Sequence, residues 1–187
     1  MTAERLTKSI EVALLAALAY VLTLIAVPIL PVAPYLKLDL SDLPILVATA
    51  TLGIAAGLAV AALSIGLHLL LSGFALPMIL GDAVLLASAV VIVLTVGGLI
   101  SWVNRNPTFW RHAVLVVLVT FNLTWTMALV NWLAIPLYMK TIGLTVRLPL
   151  TKLIGFGIVP FNLIKGVVVS GLFLFVNRYL RRSKWIK

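Results

Sequence analysis

From Leu43 to Leu71 the chain runs for about 29 residues without an Asp, Glu, Lys or Arg. A bilayer core about 30 Å thick is crossed by about 20 apolar residues in helical form. The run is long for one such helix and short for two complete ones. Gly53 and Gly57 suggest a break, so the run reads as two short or tilted helices. Four further apolar runs are expected to be spans: Ser9–Val27, Pro77–Val103, Ala113–Tyr138 and Leu153–Leu180. The expected fold is all-α, an integral membrane bundle of about six transmembrane helices in a single domain, residues 1–187. Composition excludes the soluble alternative. The chain is 63% hydrophobic and 10% charged, against roughly 25% charged for soluble domains. A small soluble domain has too little interior to hide that much apolar surface.

Polar segments separate the runs. PVAPYLKLDLSDLP, Pro31 to Pro44, holds three prolines and two of the five acids, and reads as a loop. Asn104–His112 and Lys140–Lys152 read as further loops, and RYLRRSKWIK as a basic tail. Six helices put both termini on one side. Arg5, Lys8, Arg105, Arg111, Arg178, Arg181, Arg182, Lys184 and Lys187 fall on that side, and Lys37, Lys140, Arg147 and Lys152 on the other. This bias favours cytoplasmic termini. Trp102, Trp110, Trp132, Trp185 and Tyr138 fall near predicted helix ends, as interfacial aromatics do. The loops Pro31–Leu43 and Lys140–Lys152 then share the outer side and can jointly cover a pocket there.

The net charge of +9 is spread over helix ends rather than gathered in a patch, so it sets topology and does not mark a nucleic-acid surface. With no cysteine, disulfides and thiolate sites are excluded. The segment Met1–Ile10 is too polar, and its following apolar run too long, for a cleaved signal peptide. There is no GxxxxGK[ST] phosphate loop, no serine–histidine–acid set and no metal-ligand cluster. The chain is therefore expected to be no enzyme and to need no cofactor. It shows no internal repeat, so an inverted-repeat carrier has no support.

Polar groups inside a membrane are costly and usually face the protein interior or a water-filled cavity. Asn122 and Asn131 fall in the fifth span, Asn162 and Lys165 in the last. Asn162 and Lys165 are three apart and share a helix face. Together with Asn131 they can hydrogen-bond a polar ligand. The alternative is that they bond backbone carbonyls and hold helices together, or that Lys165 snorkels to the interface. For Asn122 the structural role is favoured. Asp82 is a further ligand candidate, or else starts a helix where free backbone donors satisfy it. His68 is a candidate too, or else a hydrogen-bonded packing residue. Ala13 and Ala17, like Gly53 and Gly57, have the small-xxx-small spacing that lets helices approach closely.

The stretch PYLKLDLSDLPILVATATLGIAAGL, Pro34 to Leu58, resembles the first loop and second helix of the substrate-binding subunits of energy-coupling factor (ECF) transporters, most narrowly the riboflavin-binding group. VNWLAIPLYM, Val130 to Met139, and VPFNLIKGVVVSGLF, Val159 to Phe173, are similar to that group in the same order and spacing. The resemblance implies a six-helix subunit that binds a water-soluble vitamin from outside a bacterial plasma membrane. It implies work with a membrane coupling subunit and two cytoplasmic ATPases. It implies ligand contact at Asn131, Asn162 and Lys165, and docking on the coupling subunit at Ala13 and Ala17. The chain departs from the riboflavin patterns at Leu63–Leu69, at Gly81-Asp82-Ala83 and at Leu52-Gly53-Ile54. These departures bring in pantothenate, or a pyrimidine or pyridoxine type of vitamin, beside riboflavin. An anionic ligand would favour Lys165 as its partner, and an amino-pyrimidine or pyridine edge Asp82. A stand-alone secondary carrier and a membrane scaffold protein are the readings of another class.

Overall fold

The computed structural model describes residues 3–31, 33, 35–143 and 148–182. Arg147, Lys184, Trp185 and Lys187, used above for topology, lie outside the described residues. Helix α1 spans Ala3–Thr23. A two-residue antiparallel ladder, β1 (Val27–Pro28) with β2 (Lys37–Leu38), follows. Then come α2 (Asp42–Leu52), α3 (Ile54–Ser72), α4 (Leu76–Arg105) and α5 (Phe109–Ile142). The last unit begins with α6 (Leu150–Leu153), continues through one π-helical turn (Ile154–Ile158) and ends with α7 (Val159–Arg182). Counting this unit once, there are six helical segments among the described residues, as expected. Five are long and apolar enough to cross a membrane. The sixth, α2, has 11 residues and at 1.5 Å per residue reaches only about half way.

The break expected at glycine is real. Gly53 ends α2 at φ 98°, ψ 171°, where a side chain is strained, and the chain reverses there. Gly57 then sits directly against Thr49 and the carbonyl of Ile45, so α2 and α3 form a close antiparallel pair. Other boundaries differ from the hydropathy reading because polar flanks extend the helices. Glu4 and Lys8 pair at 3.1 Å, one turn apart, and α1 starts before its apolar run. Val27 belongs to the ladder instead. The loop expected at Asn104–His112 is only a short turn, where Arg111 donates to the Trp102 carbonyl (2.7 Å) and stacks over its ring. Trp102 and Trp110 flank that turn, whereas Trp132 lies well inside α5.

Helix α2 occupies the centre. Its Leu46 joins a core made with Ile92, Val96 and Ile100 of α4, Leu115, Val119 and Leu123 of α5, and Val169 and Phe173 of α7. Its Ile45 and Ala48 join a second core with Ala16 and Ala19 of α1, Val60 and Ala61 of α3, and Ala89 and Val93 of α4. Small residues dominate this second core, as expected where association in lipid depends on close backbone approach. The outer surface stays apolar: Leu14, Val117, Phe121, Leu133 and Phe175 are all exposed. In water such a surface would aggregate, and in a bilayer it is solvated. The protein is an all-α integral membrane bundle.

Candidate ligand-binding site

The loop that carries two acids builds one wall of the site. Asp39 is buried, and its Oδ1 accepts from the Ser41 backbone N–H (2.8 Å) and from the Ser41 hydroxyl. This side-chain turn delivers the chain into α2 with Asp42 in the first helical turn. There the free N–H groups of the helix start favour a carboxylate. Asp42 Oδ2 lies 3.0 Å from Lys165 Nζ of α7, and both side chains are about 5% exposed. A low-dielectric interior strengthens the attraction between the two charges.

The opposite wall comes from α3 and α4. His68 Nδ1 lies 2.9 Å from both oxygens of Asp82. Between the Asp42–Lys165 ion pair and the hydrogen-bonded His68–Asp82 pair is a cavity of about 30 Å³, lined also by Thr23, Ser41, Ile45, Ser64, Ile65, Leu85 and Ala89. It lies at the end of the bundle where α1 finishes and α2 begins, lined there by Thr23, Ser41 and Asp42. Its lining mixes hydroxyls, paired charges and aliphatic side chains, which suits a ligand with a polar edge and an apolar body.

Of the residues singled out from the sequence, the structure brings His68, Asp82 and Lys165 together around this cavity. It does not bring Asn131 and Asn162 there. Both are buried, but each donates to a carbonyl of its own helix at 2.8 Å, Asn131 to Met127 and Asn162 to Ile158. Asn122 bonds Thr95 across the α4–α5 contact (3.3 Å). Asp82 does not start its helix: α4 begins at Leu76, Asp82 lies nearly two turns inside, and His68 rather than backbone N–H groups satisfies it. His68 is hydrogen-bonded, as its packing alternative has it, and also borders the cavity. Ala13 and Ala17 are exposed on α1, while Ala16 and Ala19 face the bundle. Among the described residues no group of His, Asp and Glu is arranged to hold a metal ion.

Sequence reasoning missed Asp42 and Asp39. A usable signal existed. A lysine inside a span demands a counter-charge, and the chain has only five acids. Glu4 lies in the first turn of α1, and Glu11 is on the same helix near the other end of the bundle, which leaves Asp39, Asp42 and Asp82.

Comparison with known proteins agrees with this architecture. Residues 7–176 match the family described as ECF transporter, substrate-specific component. The riboflavin transporter RibU of Staphylococcus aureus (strain TCH60) is 33% identical over 179 residues, covering 91% of this chain and 88% of the relative. The riboflavin transporter FmnP of Bacillus subtilis (strain 168) is 28% identical over 187 residues, covering 98% and 95%. A solved structure of the S component of a bacterial ECF transporter superposes with a TM-score of 0.76 at 30% identity, covering 95% of this chain and 97% of that one. With the family's match running almost end to end on a bundle of the same fold, this chain belongs to the substrate-specific components of ECF transporters and is a transport subunit rather than an enzyme.

Proposed function

We propose that the chain captures riboflavin at the outer face of a bacterial plasma membrane and delivers it together with a membrane coupling subunit and two cytoplasmic ATPases. One observation carries the choice of vitamin. Among the described residues that line the cavity the one lysine, Lys165, is already matched by Asp42 at 3.0 Å. A carboxylate ligand such as pantothenate finds no spare cation among those residues, and would set its own charge beside that of Asp42. Riboflavin is neutral, with an imide edge, a chain of hydroxyls and an apolar ring, and needs dipoles instead. That S. aureus and B. subtilis relatives are riboflavin transporters supports the same choice. The cavity holds water but not a vitamin at about 30 Å³, so capture requires its walls to open and close again. Among the described residues, Arg5, Lys8, Arg105, Arg111, Arg178, Arg181 and Arg182 lie at the end away from the cavity and Lys37, Lys140 and Lys152 at the other. That bias supports cytoplasmic termini and an outward cavity.

The direct test titrates the purified chain in detergent with riboflavin, pantothenate, pyridoxine and thiamine, read by calorimetry. Nanomolar riboflavin binding with the others at least about a hundredfold weaker, roughly 2.7 kcal/mol, is the expected result. A preference for pantothenate overturns the choice of vitamin. Transport by the chain alone in liposomes favours a stand-alone carrier, and no small-molecule binding favours a scaffold.

A second prediction concerns delivery. Ala13 and Ala17 are exposed on α1 beside the exposed Leu14 and Leu18, so a bulky residue there does not disturb the bundle but roughens the outer face. Ala13→Trp is expected to leave riboflavin affinity unchanged and to abolish uptake into vesicles carrying the complete transporter. Loss of binding in that variant removes the docking role.

A further inference from the structure

Two polar residues that line the cavity, His68 on α3 and Asp82 on α4, form a pair in its wall. Asp82 is buried, and both its oxygens lie 2.9 Å from His68 Nδ1. With the Asp82 carboxylate as acceptor, Nδ1 is the donor of this contact. The two oxygens astride one ring nitrogen also hold the plane of the imidazole. The remaining ring nitrogen, Nε2, points away from Asp82. The His68 side chain keeps 23% of its surface accessible where Asp82 keeps 4%, and both residues line the cavity. Tyr20 of α1 stands with its ring 6.5 Å from that of His68 and limits the space on that side.

We propose that His68 is a specificity-determining residue of the ligand site and that Asp82 is its positioning residue. Nδ1 is committed to Asp82, and Nε2 makes a hydrogen bond to an N–H or O–H group of the bound ligand. The arrangement follows the general logic in which a carboxylate behind one imidazole nitrogen decides what the other can do. Ile65 and Leu85, which line the same cavity, offer no competing polar atom. The inference rests on the proposed riboflavin reading and names the side chain that reads the ligand's polar groups.

The experiment measures the affinity of the wild type and of His68→Leu for three flavins: riboflavin, 3-methylriboflavin, which lacks the imide N–H, and lumiflavin, which lacks the hydroxylated chain. In the wild type, one of the two analogues is expected to bind about tenfold or more weaker than riboflavin. In His68→Leu riboflavin itself weakens by a similar factor and that analogue's penalty disappears. Such coupling to one ligand group is something a merely structural role for His68 does not produce. His68→Leu leaves the Asp82 carboxylate buried without a partner, so His68→Leu/Asp82→Asn serves as the companion variant and is expected to show the same pattern. Asp82→Asn alone releases the ring and is expected to lose part of the discrimination. Analogue penalties that stay the same in the His68 variants overturn the inference while leaving riboflavin binding intact. A wild type that binds no flavin overturns the riboflavin reading and the inference with it.

Discussion

Gly166→Val is expected to prevent the bundle from assembling, seen as loss of the monodisperse peak in detergent chromatography. Gly166 follows Lys165 on α7 and faces α5. A Cβ at this position would lie 2.7 Å from Thr120 Cα, 2.8 Å from its Oγ1 and 3.0 Å from its Cβ. The nearest atom is backbone, so no rotamer change relieves the clash and the two helices must separate. Overpacking alone costs about 1–3 kcal/mol. Here the cost extends along the interface in which Val119, Leu123, Val169 and Phe173 share a core. Thr120→Ala should fail to rescue the variant, because it leaves Cα in place. Gly57→Ala is a different case, since the Thr49 hydroxyl is the atom nearest to its Cβ, and Thr49→Ala should restore part of its stability. Gly171→Ala, on the same helix as Gly166 but in open space, should be close to neutral. A stable, monodisperse Gly166→Val protein is the result that overturns the close α5–α7 contact.

The contrast among these glycines marks the limit of what hydropathy reveals. The pair Gly53 and Gly57 was legible because a long uncharged run needs a break, and the structure breaks at Gly53 with φ 98°. Gly166 gave no such signal inside a run that reads as one continuous span. Lys165 stood out because a charge in a span is costly, yet its partner did not, since Asp42 sits in a proline-rich segment that reads only as a loop. The interior placement of Asn131 and Asn162 was also legible. Which way their amides turn was not, because the choice between a ligand and the carbonyl four residues back is a matter of rotamer and backbone. The π-helical turn just before α7 ends at Ile158, whose carbonyl Asn162 takes, and nothing in residue spacing announces it. The His68–Asp82 pair joins residues that were each visible and were not linked, because the turn that folds α3 against α4 sets the distance between them.

Lys165→Met is expected to cost about 3–5 kcal/mol of stability, because it leaves the Asp42 carboxylate uncompensated in the interior. Asp42→Asn alone should destabilise similarly by stranding the ammonium group. Both predictions follow from side chains about 5% exposed and 3.0 Å apart. The double variant Lys165→Met/Asp42→Asn removes both charges and keeps most of the volume, so it should recover most of the loss, as replacement of buried ion pairs by neutral groups often does. Thermal unfolding in detergent reads this cycle, and a strongly non-additive result is the signature of direct coupling. The same double variant separates architecture from recognition. If the pair serves only to hold α2 against α7, the recovered protein binds riboflavin as the wild type does. If its dipole also faces the ligand, the recovered protein stays folded and binds at least about tenfold more weakly, a loss of roughly 1.4 kcal/mol. The position of the pair in the cavity wall favours the second outcome. A Lys165→Met protein as stable as the wild type would show that the ammonium group leaves Asp42 for the membrane interface, and would remove the reason for preferring a neutral vitamin over an anionic one.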